Sequence, residues 1–261
     1  MEFKDRIVAI TGASSGIGLR LARVLTDRGA KVALLARRGD LLAEETAKLR
    51  AAGKAAIAVA VDIGDAVAVR RAFEEVGREF GRLDALVNNA GVGYFGTVAG
   101  ISPQDLERLV RTNVYGPIFA LQAALPFLRE SRGLVCNVSS GLSKRTLPLL
   151  APYAGTKSML DALSDGMRME LHRYGIRVVT YCAPETETGF DQSTLRGEDV
   201  VAPALRRRRQ ALERVAARIA DAMARERREV VENRMLALLA GLAPGLLDRM
   251  FAPMVERYAK D

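Results

Sequence analysis

The chain has little with which to hold a metal. It carries one histidine and two cysteines among 261 residues, and none of the three has a partner at ligand spacing. His172 lies late in a helical pattern between Leu171 and Arg173, where an end-of-helix or surface position is expected. Cys136 and Cys182 fall inside apolar runs that read as core strands. Buried thiols of that kind imply a reducing compartment and no disulfide. Long apolar runs are missing too. The stretch 235–247 has 13 residues and is broken by Pro244, whereas a bilayer span needs ~20. No linker, repeat or low-complexity tract divides the chain. The first strand pattern begins near residue 6, which leaves no room for a signal peptide and makes a cytoplasmic location the expectation.

Positive charge is in excess, at +8 net. Arginines cluster at Arg206-Arg207-Arg208-Arg209 and at Arg225, Arg227 and Arg228. Glu213, Asp221, Glu226 and Glu229 are interspersed, so a solvated helix face is expected. No aromatic residues alternate with these arginines, as a single-strand nucleic-acid binder would require; no nucleic-acid partner is expected.

Strand-like runs near 6–11, 31–36, 55–61, 84–88, 133–139 and 176–182 alternate with helical patterns that include 40–52, 65–80 and 102–129. Such alternation specifies an α/β domain, a parallel sheet with helices on both faces. The length suits one domain with a sizeable core.

Two local patterns carry chemistry. The run Arg6-Ile7-Val8-Ala9-Ile10 leads into Thr11-Gly12-Ala13-Ser14-Ser15-Gly16-Ile17-Gly18 and then a helical pattern. Strand, glycine turn and helix in this order is the setting of a dinucleotide site. Gly12 permits the tight turn, Gly16 a close backbone approach to a pyrophosphate, and Gly18 close helix packing. The first N–H groups of the helix then face the phosphates. The second pattern is Tyr153 and Lys157, four residues apart, with Ser140 thirteen residues upstream. An i, i+4 pair shares a helix face. An ammonium beside a phenol favours the phenolate and makes tyrosine a usable acid and base.

Together these residues resemble the short-chain dehydrogenase/reductase family in its single-domain form, over roughly residues 5–190. The family's T-G-x-x-x-G-x-G stands as Thr11 to Gly18, its N-N-A-G as Asn88-Asn89-Ala90-Gly91, and its helix asparagine as Asn113. Its serine stands as Ser140, which the spacing to Tyr153 favours over Ser139. The resemblance implies a Rossmann-type doubly wound parallel sheet and a nicotinamide-dependent oxidoreductase. Tyr153 would donate a proton to a carbonyl oxygen that Ser140 also hydrogen-bonds. Lys157 would lower the Tyr153 pKa and hold the nicotinamide ribose, and Asn113 would connect Lys157 to solvent through water. Cofactor contacts are implied for Gly12, Ser14, Ser15, Gly16, Ile17 and Gly18, for Asp62 and Ile63, for Asn89, Ala90 and Gly91, for Tyr153 and Lys157, and for Pro184 and Thr188.

Where members that prefer NAD(H) place an acid, the second strand ends at Ala36, followed by Arg37 and Arg38. Arginine suits a 2′-phosphate, so NADP(H) is expected ahead of NAD(H), with Ser14 adding a hydroxyl. Glu185 replaces the glycine that usually follows Pro184, which restricts that loop. The substrate pocket is expected from residues 92–94, 142–149 and 190–203, with Tyr94, Ser140, Leu142 and Phe190 as contacts and with Lys144, Arg145 and Arg196 turned to water. Its apolar character suggests a hydrophobic ketone or aldehyde and the corresponding alcohol. Residues 190–228 would form a substrate lid. The apolar extension 233–261 would cover the cleft, meet a second subunit or lie on a membrane surface. The family commonly pairs subunits through the helices here at 102–129 and 151–174, so a homodimer or homotetramer is expected. The alternatives are an NAD-dependent alcohol dehydrogenase of the same family and a non-catalytic NADP(H)-sensing or membrane-associated protein.

Overall fold

The computed structural model describes residues 1–186, 190, 194–201, 210–232, 242 and 244–259. Its centre is a seven-stranded parallel sheet. The strands are β1 (Ile7–Thr11), β2 (Lys31–Ala36), β3 (Ala56–Ala60), β4 (Ala85–Asn88), β6 (Leu134–Ser140), β7 (Arg177–Ala183) and β9 (Glu229–Val231), in the order β3-β2-β1-β4-β6-β7-β9. A separate parallel pair joins β5 (Tyr94–Phe95) to β8 (Leu195–Arg196).

The period-2 alternation of β1 explains the two cores. Val8 and Ile10 face one side, with Leu21 and Leu25 of α1 (Gly16–Asp27), Leu42 and Leu49 of α2 (Gly39–Ala51), and Val215, Ile219 and Met223 of α7 (Leu212–Ala224). Ile7 and Ala9 face the other, with Val69 and Phe73 of α3 (Ala66–Phe80), Ala124 and Leu128 of α5 (Gly116–Ser131), and Met167 and Leu171 of α6 (Ala151–Leu171). Helices on both faces of a parallel sheet hide its apolar strands from water.

Three expectations are corrected. The stretch 102–129 is not one regular helix: α4 (Pro103–Val110) passes through a π-turn at Arg111–Tyr115 into α5. A seventh strand, β9, has only three residues and is flanked by Arg228 and Glu232, so no apolar run announced it. The arginine-rich stretch 225–228 was expected as a helix face; Arg225 instead follows the end of α7, and β9 begins directly after Arg228. The Arg206–Arg209 cluster lies outside the described residues, as do residues 233–241. The tail continues as α8 (Pro244–Phe251) and α9 (Pro253–Tyr258). Among the described residues no helix is long and apolar enough to cross a membrane. His172 opens an exposed turn directly after α6. Cys136 and Cys182 are free and fully buried.

Candidate active site

The carboxyl ends of β1, β4 and β6 bring the sequence motifs together. Gly12 adopts a φ of 68°, and a Cβ there would stand 2.8 Å from the Ala90 Cα. A Cβ on Gly18 would stand 2.5 Å from Asn89 Nδ2 and 2.6 Å from the Gly12 carbonyl oxygen. The turn is therefore pressed against the loop after β4 with no space for side chains. Asn89 Nδ2 donates to the carbonyls of Thr11 (2.9 Å) and Gly12 (3.3 Å). The Asn89 and Ala90 amides donate to Thr11 Oγ1 at 3.0 and 3.1 Å. The Asn89 side chain thus clamps the glycine turn.

The turn fits a dinucleotide diphosphate. Ser15 precedes α1 with an extended backbone and makes no side-chain cap, and the first turn holds no acid. Uncapped N–H groups and the positive end of the helix dipole attract phosphate oxygens. Arg38 lies over the same turn, donating from Nη2 to Ser14 Oγ (3.0 Å) and Ser15 Oγ (2.7 Å). Of the two arginines, Arg37 and Arg38, it is Arg38 whose guanidinium bonds the loop. Asp62 is exposed and accepts from the Gly64 amide at 2.9 Å. The cap of α3 is Asp65, whose carboxylate accepts from the Val67 and Ala68 amides. Ile63 is buried against Gly116 at the start of α5, where a Cβ would come within 2.9 Å of its Cγ2.

Ser140 ends β6, and its Oγ accepts from the Leu142 amide at 3.2 Å. Ser139 points elsewhere, its hydroxyl donating to the Lys157 carbonyl. This geometry agrees with the spacing that favoured Ser140. Tyr153 stands in the first turn of α6, with its ring centroid 5.9 Å from that of Phe190. Burial pushes the phenol up to about 12, and the nearby Ser140 hydroxyl opposes this.

Lys157 was expected to lower the Tyr153 pKa. In the structure its Nζ donates to the Val138 carbonyl at 2.9 Å, and it does not figure among the groups acting on Tyr153. A buried ammonium needs an acceptor, and β6 offers one. Burial pulls Lys157 itself down to about 8, opposed first by the charge of Asp161. Asn113 sits in the π-turn. Its Oδ1 accepts from the Val92 amide (2.8 Å), and its Nδ2 donates to the Val92 carbonyl (2.9 Å) and Thr156 Oγ1 (3.0 Å). These bonds occupy both amide protons, and the side chain fastens the loop after β4 to α6.

The substrate side differs more from expectation. Tyr94 is 0% exposed: it is sealed beneath the β5–β8 pair, close to Gly96 and Gly197, and cannot line a pocket. Lys144 does not face water, because its Nζ bonds Asp161 (2.8 Å) and Glu229 (2.6 Å). Leu142 is half-buried in the turn Gly141–Ser143, and Arg196 is exposed on β8. Phe190 lies close to Gly93, where a Cβ would meet its ring at 2.7 Å. Pro184 follows β7. Glu185 is not among the described non-glycine residues with positive φ, so this backbone needs no glycine there. Its carbonyl accepts from the Gln210 amide at 2.9 Å. Thr188 lies outside the described residues. The tail does reach this wall: Tyr258 packs with Phe95, Leu149 and Val200, and its carbonyl accepts from the Val201 amide at 2.8 Å.

Sequence reasoning missed two polar clusters. Asn88 Nδ2 donates to Asn137 Oδ1 (2.8 Å), whose own Nδ2 donates to Ser164 Oγ (2.7 Å). The other joins Ser143, Lys144, Asp161, Cys182 and Glu229. The available signal was Asp161, one helical turn beyond Lys157.

The model of a family described as short chain dehydrogenase matches residues 6–199. Over 256 residues the chain is 34% identical to the uncharacterized oxidoreductase YxnA of Bacillus subtilis (strain 168), a match covering 95% of this chain and 72% of that one. Among solved structures it is similar to an alcohol dehydrogenase from the archaeon Thermococcus sibiricus complexed with 5-hydroxy-NADP, with a TM-score of 0.77, 26% identity, and 85% and 91% of the two chains covered. It is also similar to the 3-ketoacyl-(acyl-carrier-protein) reductase from Brucella melitensis complexed with NADH, with a TM-score of 0.76, 28% identity, and 85% and 91% covered.

Proposed function

Because the chain belongs to the short chain dehydrogenase family, an oxidoreductase family acting on CH–OH groups with a nicotinamide cofactor, we propose that it interconverts an apolar ketone or aldehyde and its alcohol, using NADP(H). The observation that carries this reading is the placing of Ser140 at the end of β6, near enough to act on the Tyr153 phenol, with Lys157 one helical turn further along α6.

The Ser140 oxygen already accepts from the Leu142 amide, so its own proton is free to be donated. The Ser140 hydroxyl hydrogen-bonds an arriving carbonyl oxygen and stabilises the charge that develops there. Tyr153, protonated at neutral pH, gives its proton to the same oxygen. Lys157, its Nζ held by the Val138 carbonyl, remains mostly charged at neutral pH and would hold the nicotinamide ribose. When bound, the nicotinamide supplies or takes up the hydride. The residues that would hold the cofactor are the glycine turn, the first turn of α1, Asp62, the backbone of Ala90 and Gly91, and Lys157. Support for NADP(H) comes from Arg38 over Ser14 and Ser15 and from Ala36 where an acid would bind a ribose hydroxyl. Support for an apolar substrate comes from Leu142, Leu149 and Phe190, and from Lys144 being committed to two carboxylates.

The test is NADPH oxidation against a panel of aliphatic, aromatic and polycyclic ketones, with NADH and Tyr153→Phe alongside. We expect turnover that prefers NADPH and falls by about 10²- to 10⁴-fold in Tyr153→Phe. Preference for small charged keto acids would refute the substrate class. Tight cofactor binding with no turnover would favour a cofactor-sensing protein, which the intact Ser140, Tyr153 and Lys157 argue against. Exposed Tyr115 beside α5 and exposed Met159 on α6 support pairing of two copies through those helices, to be checked by light scattering.

A further inference from the structure

Tyr153, Lys157 and Asp161 stand at i, i+4 and i+8 on α6, along one face of the helix. The first two belong to the site described above; the third has no part in it so far. Asp161 Oδ2 accepts from Lys144 Nζ at 2.8 Å and from Ser143 Oγ at 2.6 Å. The Ser143 hydroxyl is also 2.6 Å from the Ser140 carbonyl oxygen, so one proton serves two acceptors. Ser158 Oγ donates to the Ser143 carbonyl at 2.9 Å. The turn Gly141–Ser143 directly follows Ser140 and is therefore fastened to α6 at two points. The amide of Leu142, inside that turn, is what sets the Ser140 hydroxyl.

The surroundings are charged on every side. Lys144 and Glu229 pair with each other, Cys182 lies within 4.8 Å of the Asp161 and Glu229 carboxylates, and Lys157 and Tyr153 lie along the helix. The Lys144 ammonium already bridges the two carboxylates, so the cluster is not a metal site. Asp161 Oδ1 is buried and without a hydrogen-bond partner among the described residues, so part of the carboxylate charge is unscreened by any donor.

We propose that Asp161 is a positioning residue of this site: it fixes the Ser140 turn through Ser143 and supplies the negative charge that holds the Lys157 proton. The inference rests on the reading of Ser140, Tyr153 and Lys157 as the reacting group. Burial disfavours the Lys157 ammonium, and Asp161 is the foremost of the groups opposing that effect.

The test uses the full chain and no ketone. Side-chain ¹⁵N NMR follows the lysine ammonium groups against pH, with the Lys157 signal assigned by its loss in Lys157→Met. Asp161→Asn keeps the shape of the side chain and removes its charge; Asp161→Ser removes the charge in a second way should the first variant fail to fold. In both, the Lys157 midpoint is expected to fall by about one pH unit, and Asp161→Glu is expected to restore it. An unmoved midpoint in the folded charge-removing variants overturns the electrostatic role. Ser143→Ala cuts the tether and spares the charge; it should leave the midpoint in place and lower kcat for ketone reduction by about 10- to 100-fold. An unchanged kcat overturns the tether. Because the titration needs no turnover, a protein that reduces no ketone refutes the reductase reading separately.

Discussion

Replacing Lys157 with methionine should change how stability depends on pH. Lys157 is 4% exposed, and burial lowers its pKa from 10.5 to about 8. A tenfold change in proton affinity corresponds to about 1.4 kcal/mol, so holding this charge inside the fold costs on the order of 3 kcal/mol at neutral pH. Between about 8 and 10.5 the unfolded chain binds the proton more tightly than the folded chain does. Rising pH therefore favours the folded wild type through that window, and the cost is fully present below it. Methionine keeps the length of the side chain and removes the charge. It also takes a donor from the Val138 carbonyl, at a pH-independent cost of about 1–3 kcal/mol. The sign of the difference at pH 7 is thus a balance of two similar numbers, but its change with pH is not. Urea unfolding of both proteins at pH 7 and pH 10 should show the wild type gaining about 2–3 kcal/mol on the variant. Other lysines and tyrosines titrate in both proteins and cancel. A stability difference that stays constant between the two pH values would refute the account of Lys157 as a desolvated ammonium.

Arg38→Ala should weaken NADPH binding by at least about tenfold, from the loss of a charged hydrogen-bonding group, and leave NADH binding much less affected; fluorescence titration with each cofactor measures the ratio. Gly18→Ala should destabilise the protein by about 1–3 kcal/mol in urea unfolding, because the new methyl would meet Asn89 Nδ2 at 2.5 Å and the Gly12 carbonyl at 2.6 Å. The same variant should bind either cofactor poorly, since the turn that faces the diphosphate cannot keep its shape.

Most of the sheet was legible because the central strands are apolar on both faces. Six of its strands announce themselves as short apolar runs between helical patterns. β9 could not, since a three-residue edge strand amid charges has no periodicity to detect. The short pair β5–β8 is likewise set by tertiary contact rather than by pattern. In the site, it was the family resemblance carried by Thr11 to Gly18, Ser140, Tyr153 and Lys157 that implied a single site. What spacing could not supply was the use of each polar side chain. Asn89 and Asn113 look like cofactor and relay groups in the sequence, and nothing there shows that their amide nitrogens also tie the glycine turn and the loop after β4 in place. Tyr94 looks like a pocket aromatic but is covered by a strand from a distant part of the chain. The Lys144 ammonium, expected in water, is drawn inward by Asp161 and Glu229, which are far from it in sequence.

The π-turn at Arg111–Tyr115 makes this stretch sensitive to length in a way that the surrounding loops are not. A π-turn holds one residue more than an α-helix would place in the same rise. Deleting a single residue between 111 and 115 would let α4 and α5 merge into an unbroken helix, and one residue turns an α-helix by about 100°. The apolar stripe of Ala120, Ala124 and Leu128 would then keep its seat on the sheet only if α4 swung away, taking Leu109 out of its buried position. If α4 stayed, the stripe would rotate off the core. Either way Asn113 would lose its place opposite Val92. The extra residue is thus an insertion the fold has come to depend on, and substitutions across the segment are far easier to accommodate than any change in its register.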